Sequence, residues 1–261
     1  MTKLFYSSVL FLIGFSSYSQ TIFTALSQDR DYDLRSIPIV SEVTSDITYF
    51  RNDGIETKKE KSEYNKNNKL TNELRYNQEG NLSARLTIVY DSTKTRKTSN
   101  KFETWNPVVG HSVEISDFIY DSNNYLIKII DKNKFGTPFR TSTYENDNMG
   151  NPVKLILEKP KFGIVGFEIA KYNYDNNTVT ISLLDKNSNV INSYTGRVNF
   201  SERKFSDLIY NEFGDLIKTQ YTEYAYKYDK NSNWVKRTQY QLKGGIKIKS
   251  EIIKRKIKYK K

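Results

Sequence analysis

Tyr228-Asp229-Lys230-Asn231-Ser232-Asn233-Trp234 decides the fold, because the same order of residue types returns along the chain. Tyr76-Asn77-Gln78-Glu79-Gly80-Asn81-Leu82 and Tyr210-Asn211-Glu212-Phe213-Gly214-Asp215-Leu216 are equally clear copies. Tyr64 to Leu70 and Tyr120 to Leu126 are two more, and Tyr144 and Tyr174 head degenerate ones. The physical logic is a hairpin. A strand ends at Tyr-Asp or Tyr-Asn, polar residues turn, and Gly or Asn takes the positive φ that the return needs. An apolar residue opens the return strand, with a Lys on the opposite face at Lys128, Lys218 and Lys236. Polar turn residues interrupt every apolar run within about ten residues, which no amphipathic helix tolerates. The reading is all-β: consecutive antiparallel hairpins forming one long, twisted, curved repeat sheet. Neighbouring units share a strip of Tyr, Leu and Ile. Leu82, Leu126, Leu216 and Trp234 are expected on the better-buried face.

The composition of the 261 residues agrees. Twenty are Tyr, none is Cys and one is His. Tyr suits a pleated, half-wet surface. Without Cys there is no thiol catalysis, disulfide or Cys-rich zinc site. No phosphate-binding Gly-Lys-Ser/Thr loop, Gly-x-Ser-x-Gly elbow or His-Glu-x-x-His motif is present.

Residues 1–19 read as a signal peptide: Lys3, an apolar run from Leu4 to Phe15, then small residues at Ser17 and Ser19. Export to the periplasm or cell exterior follows, with no membrane span in residues 20–261 and no nucleic-acid partner expected for an exported chain. Residues 20–33 form an N-terminal lead-in and 34–261 the repeat sheet. An irregular insertion is expected near 100–117 and a basic closing hairpin over 234–261.

The formal charge of +11 concentrates at the end: residues 243–261 hold nine basic side chains and one acid. Ile246 and Ile248 share one strand face, while Ile253, Ile257 and Tyr259 have the opposite parity. A bulge or break is therefore expected between Ser250 and Ile253. The lysines either blunt an exposed sheet edge or form a polyanion contact through Lys254, Arg255, Lys256 and Lys258.

The repeated Tyr-Asp-x-x-Gly-Asn-Leu units resemble the YD (RHS-type) repeats of exported bacterial proteins. The ending Asn233-Trp234-Val235-Lys236-Arg237, with Tyr240, Gly244-Gly245 and an Ile-Lys-rich final strand, resembles the close of small secreted YD-repeat proteins of Gram-negative bacteria. The resemblance spans Leu34 to Lys260. Asn68, Asn124 and Ser232 stand where that family usually has Gly, and Lys101 to Asp117 matches no unit. Large RHS proteins enclose a toxin in a β-shell, a role that a chain this short does not inherit.

The resemblance implies an exported, non-catalytic binding or structural module and no cofactor, with another exported protein or envelope polysaccharide as partner. Tyr224, Tyr226, Tyr228 and Trp234 offer an alternative, a carbohydrate platform in which ring faces stack on sugars. The Tyr set equally suits cross-strand packing. A glycan hydrolase would need two close carboxylates, and none is marked as a pair. Asp131, Asp185 and Asp229 open turns with alternating oxygens that suit calcium, although hairpin turns select the same residues. His111 reads as a half-exposed loop residue.

Overall fold

The computed structural model describes residues 21–27, 34, 38–198 and 208–260. The expected signal peptide lies outside the described residues. Within the lead-in, α1 (Ile22–Ser27) is a single short helix that the sequence reading did not anticipate.

Every other regular element among the described residues is a strand. In chain order these are β1 (Val40–Arg51), β2 (Gly54–Tyr64), β3 (Leu70–Tyr76), β4 (Leu82–Tyr90), β5 (Lys97–Asn106) and β6 (Gly110–Tyr120). Then follow β7 (Leu126–Asn133), β8 (Pro138–Asn146), β9 (Pro152–Lys159), β10 (Gly163–Asn173), β11 (Thr178–Asp185) and β12 (Val190–Arg197). The last five are β13 (Ile209–Tyr210), β14 (Leu216–Lys218), β15 (Thr222–Tyr228), β16 (Trp234–Lys243) and β17 (Ile246–Tyr259). All belong to one antiparallel sheet of consecutive hairpins. β1 pairs with β2 on one side and β17 on the other, so the first and last strands meet and the sheet is rolled. Among the described residues no ladder register joins β12 to β13, and the described sheet is not closed into a barrel.

The turns explain the repeat. In nine of them an Asp or Asn carbonyl accepts the N–H three residues on, at 2.9–3.2 Å (Asn65, Asn77, Asp91, Asp121, Asn133, Asp147, Asp185, Asn211, Asp229). The side-chain Oδ1 of the same residue accepts the N–H four residues on: Asn81 at 2.8 Å, Tyr125 at 2.8 Å and Asn233 at 3.0 Å are examples. The residue three after the Asp or Asn has positive φ, whether Gly (Gly80, +81°; Gly214, +80°) or not (Asn68, +54°; Asn124, +67°; Ser232, +60°). Asn, Asp and Gly tolerate this region best. Three residues later the ladder slips, so that Tyr228 faces Trp234 while Lys227 faces Lys236. That bulge flips strand parity, which is why Trp234 points inward and Lys236 outward although they are two apart.

The inner face carries the core. Phe118, Ile129, Tyr144, Leu155, Ala170, Val179, Ile181 and Val198 form one buried cluster, and Ile22 of α1 is fully buried against it. The Ile22 N–H donates to Glu168 Oε2 at 2.8 Å, fastening the helix to β10. Beside this cluster the inner face turns polar: Ser116 and Arg140 both bond the fully buried Asp131, and Arg140 also reaches Glu114 at 3.2 Å. Trp234 is buried as expected, whereas Leu82, Leu126 and Leu216 are half-buried.

Two further expectations need correcting. Residues 100–117 are no irregular insertion but the regular hairpin β5–β6. Asn106 Oδ1 accepts the Val108 and Val109 N–H groups, doing the turn's work without a Tyr-Asp heading. Nor does the lysine-rich β17 blunt an edge, because it is paired on both sides, with β16 and β1. The parity switch is real: the register passes from Gln239↔Glu251 to Tyr240↔Lys249, leaving Ser250 in the bulge.

Candidate functional site

Strand direction gathers the turns after β2, β4, β6, β8, β10 and β15 at one end of the rolled sheet. The residues that head these turns, Tyr64, Tyr90, Tyr120, Asn146, Tyr172 and Tyr228, all lie on the inner face by register. Their polar tips stitch each hairpin to the one before. Tyr90 Oη donates to the Leu70 carbonyl (2.8 Å), Asn146 Nδ2 to Leu126 (2.9 Å) and Tyr172 Oη to Pro152 (2.7 Å). Tyr228 Oη donates to Asp215, and Tyr259 Oη to Asp229. A phenol at a strand end has the reach to satisfy a neighbouring turn while its ring stays apolar. The result is a tyrosine collar around one rim. The sequence reading singled out Tyr64, Tyr120 and Tyr228 as heading residues and missed Tyr90, Asn146 and Tyr172 in that role. A spacing of 26 residues, from Asn65 to Asp91, Asp121 to Asp147 and Asp147 to Asn173, was the available signal.

Inside this rim, beside Ala25 and Leu26 of α1, lies a cavity of about 390 Å³. Its apolar floor is completed by Leu126 and Pro152, and Tyr120 and Tyr125 present aromatic rings. Polar groups converge from three turns: Arg96, Asn124, Asn146 and Asn151. The Arg96 guanidinium lies 5.1 Å from the Tyr120 ring centroid, 3.6 Å from Asp91 and in hydrogen-bond contact with Asn124 Oδ1. Asp91 is held below the usual carboxylate range by its bond from Thr93, with the Arg96 and Thr95 N–H groups adding to it. Gly150 is required here, because a Cβ at that position would overlap the Tyr125 ring. Among the described residues that line the cavity there is no carboxylate. A pocket of rings, amides and one guanidinium over an apolar floor has the kind of lining found in small-molecule sites.

The aromatic ladder is placed differently from the sequence reading. Tyr224, Tyr226 and Tyr228 do share one face, with ring centroids 6.4 and 6.0 Å apart. That face is the inner one, and the rings are half-buried. Trp234 is 3% exposed. The Arg255 guanidinium lies 3.3 Å from its ring centroid and that of Arg237 5.4 Å away. Trp234 is thus a core residue capped by arginines, not part of an exposed platform. The tail is split in the same way: Lys254, Lys256 and Lys258 are exposed on the outer face, and Arg255 points inward onto Trp234.

Asp185 and Asp229 turn one carboxylate oxygen onto backbone N–H groups, as hairpin residues do. Asp185 Oδ2 also accepts from Asn189 Nδ2 at 3.0 Å. Asp131 sits in no turn at all; it is buried in β7 against Arg140. His111 belongs to strand β6 rather than a loop, stacks on Trp105 with centroids 4.9 Å apart, and has Nε2 3.5 Å from Glu103. Among the described residues no helix is long and apolar enough to cross a membrane.

No protein-family model matches the chain, and no curated protein matches it in sequence. Several solved structures are similar to it. A porin-like protein from Bacteroides uniformis aligns with 86% of this chain and 98% of its own, at 12% identity and a TM-score of 0.44. The TcdB2-TccC3-TEV structure aligns with 78% of this chain and 14% of its own, at 12% identity and a TM-score of 0.33. A putative outer membrane lipoprotein-sorting protein domain from Vibrio parahaemolyticus covers 91% and 90%, at 10% identity and a TM-score of 0.21.

Proposed function

We propose that this protein is an exported, non-catalytic YD-type repeat module of the cell envelope that binds glycan units in the rim cavity. The observation that carries the reading is the lining of that cavity. Tyr125 offers a ring face for the C–H-rich face of a sugar, and Arg96, stacked on Tyr120, joins Asn124 and Asn151 in offering hydrogen-bonding groups around its hydroxyls. The volume of about 390 Å³ falls within the range of small-molecule sites. Export rests on the N-terminal segment, and the repeat assignment on the Tyr-Asp units. The glycan site moves from the Tyr224–Trp234 face to the rim because the ladder is occupied by packing against Arg237 and Arg255.

Calorimetric titration of residues 20–261 with oligosaccharides released from cell-envelope polysaccharide and peptidoglycan tests the reading. Wild type should bind, and Tyr125→Ala should weaken binding about tenfold, equivalent to about 1.4 kcal/mol, with its circular dichroism unchanged. Unaltered affinity in a folded Tyr125→Ala protein, or no binding by the wild type, would overturn it. Cleavage of the oligosaccharide during the titration would overturn the non-catalytic part.

A further inference from the structure

Rolling the sheet lines up lysines that are far apart in sequence. On the outer face Lys227 of β15 stands directly opposite Lys236 of β16, and Lys236 directly opposite Lys254 of β17. Lys254 faces Asp46 of β1, which faces Lys59 of β2. The next row runs Lys256, Thr44, Lys61. Five strands at a spacing of about 4.8 Å make the first row about 19 Å long.

Like charges directly opposite one another in a ladder are destabilising. Elsewhere on the outer face several lysines are paired with acids: Lys154 with Glu145 at 2.8 Å, Lys101 with Glu103 at 3.1 Å, and Lys132 with Asp117. Within the row, Lys59, Lys227, Lys236 and Lys254 make no ion pair among the described residues. Lys256 makes none either.

We propose that this outer-face row over β15, β16, β17, β1 and β2 binds an extended acidic polysaccharide laid across the strands. A linear polymer with anionic groups along its length matches a line of four lysines perpendicular to the strands, interrupted once at Asp46. The ladder fixes the spacing of those cations before the ligand arrives, which lowers the entropic cost of binding. The row contains no apolar side chain to enter a bilayer, and it lies on the convex side of a rolled sheet, which meets a flat lipid surface only along a line. The site is independent of the rim cavity.

Retention of residues 20–261 on immobilised polygalacturonate, with neutral dextran and phosphatidylglycerol vesicles as comparators, tests this. Wild type should bind polygalacturonate and not dextran, and should release as salt rises. Lys236→Glu places a carboxylate between Lys227 and Lys254, so it should raise the unfolding midpoint while weakening polygalacturonate binding about tenfold, within the range of electrostatic steering. Lys128→Glu, on the outer face of β7, should leave binding unchanged. Equal loss in both variants would reduce the effect to net charge and overturn the proposal. So would unchanged binding in Lys236→Glu, or stronger binding to vesicles than to polygalacturonate. Tyr125→Ala should keep its polygalacturonate binding, which separates this proposal from the cavity reading.

Discussion

The two halves of the rolled sheet use one hairpin unit and fill the space behind it in different proportions. From β6 to β12 the interior holds an aliphatic cluster lidded by α1, with Ile129 and Leu155 almost fully buried and Ile22 packed against the cluster, and the buried Asp131–Arg140 pair stands beside it. From β13 through β17 to β4 no helix covers the inner face among the described residues. Arginines and tyrosines share it with the buried Val43, Ile47, Ala84 and Ile88: Arg255 and Arg237 lie over Trp234, the Tyr224–Tyr228 rings beside it, and Arg75 is bonded to Glu73. A turn-driven repeat fixes strand order and register without fixing the core, so the same scaffold accepts a dry cluster on one side and a guanidinium–aromatic stack on the other.

Core truncation gives the largest expected effect. Leu155→Ala should lose about 2–5 kcal/mol and Trp234→Ala about 3–5 kcal/mol. The diagnostic change is Arg255→Ala. If the stack supports that half, this variant should lose about 2 kcal/mol, the upper reach of a desolvated cation–π contact. Urea denaturation decides it. An Arg255→Ala midpoint equal to wild type would mean that Trp234 packs without its guanidinium cover, and the contrast between halves would shrink to one of shape.

The hairpin order, the turn residues and the bulge at Ser250 were legible because each is written locally, in Asp, Asn, Gly and strand parity. The buried side of Trp234 was legible from its place after the turn, although the aromatic spacing also suggested an exposed platform that includes it. What escaped depends on closure. Nothing local says that β1 returns to pair with β17, and that pairing alone turns the tail from an edge into an interior strand. The rim cavity is built from turns 26 to 30 residues apart together with α1, a single turn of helix too short to leave a periodic signal. The opposed lysines were invisible for a similar reason: Lys227, Lys236, Lys254 and Lys59 meet only through the register of four ladders.

A second contrast concerns the glycines of the turns. Gly150 (φ +81°) lies under Tyr125 on the α1 side, and Gly80 (φ +81°) has nothing within 4 Å of where a Cβ would stand. Gly80→Ala should cost about 1–2 kcal/mol for the left-handed conformation alone. Gly150→Ala adds the displacement of Tyr125 and should cost more, with weakened ligand binding at the cavity. Equal costs from thermal melts would show that Tyr125 swings aside freely.

The acids of the two interiors should also separate by pH. Burial pushes the Glu168 carboxyl up, opposed only by the Ile22 N–H. Burial likewise raises Glu60, helped by Glu73 and opposed by Arg75. A raised carboxyl is protonated in the folded chain while the unfolded chain has already ionised. Its contribution is fully present below the ordinary carboxyl range and lost as pH rises through the folded value. Glu168→Gln keeps an acceptor for Ile22 and removes that loss, so stability near neutral pH should hold or rise. Glu60→Gln removes a partner of the arginines as well, and should gain less or lose. Urea midpoints between pH 4 and 8 compare the two; identical profiles would mean that the guanidinium-filled half does not use its acid.

The smallest effect tests the turns that both halves share. Ser232 holds φ +60° in the turn before Trp234, and Asn124 holds φ +67° in the turn beside the cavity. Each sits where Gly80, Gly150 and Gly214 sit in sister turns. Ser232→Gly should relieve the Cβ strain, worth roughly 1–2 kcal/mol, but it also enlarges the conformational freedom of the unfolded chain. A net gain of about 0.5–1 kcal/mol remains. Asn124→Gly should gain less, because Asn tolerates the left-handed region better and its Oδ1 accepts from Arg96 at the rim. A larger gain at 124 than at 232 would mean that the Arg96–Asn124 contact contributes nothing to holding the rim, leaving Asn124 to be explained by the ligand.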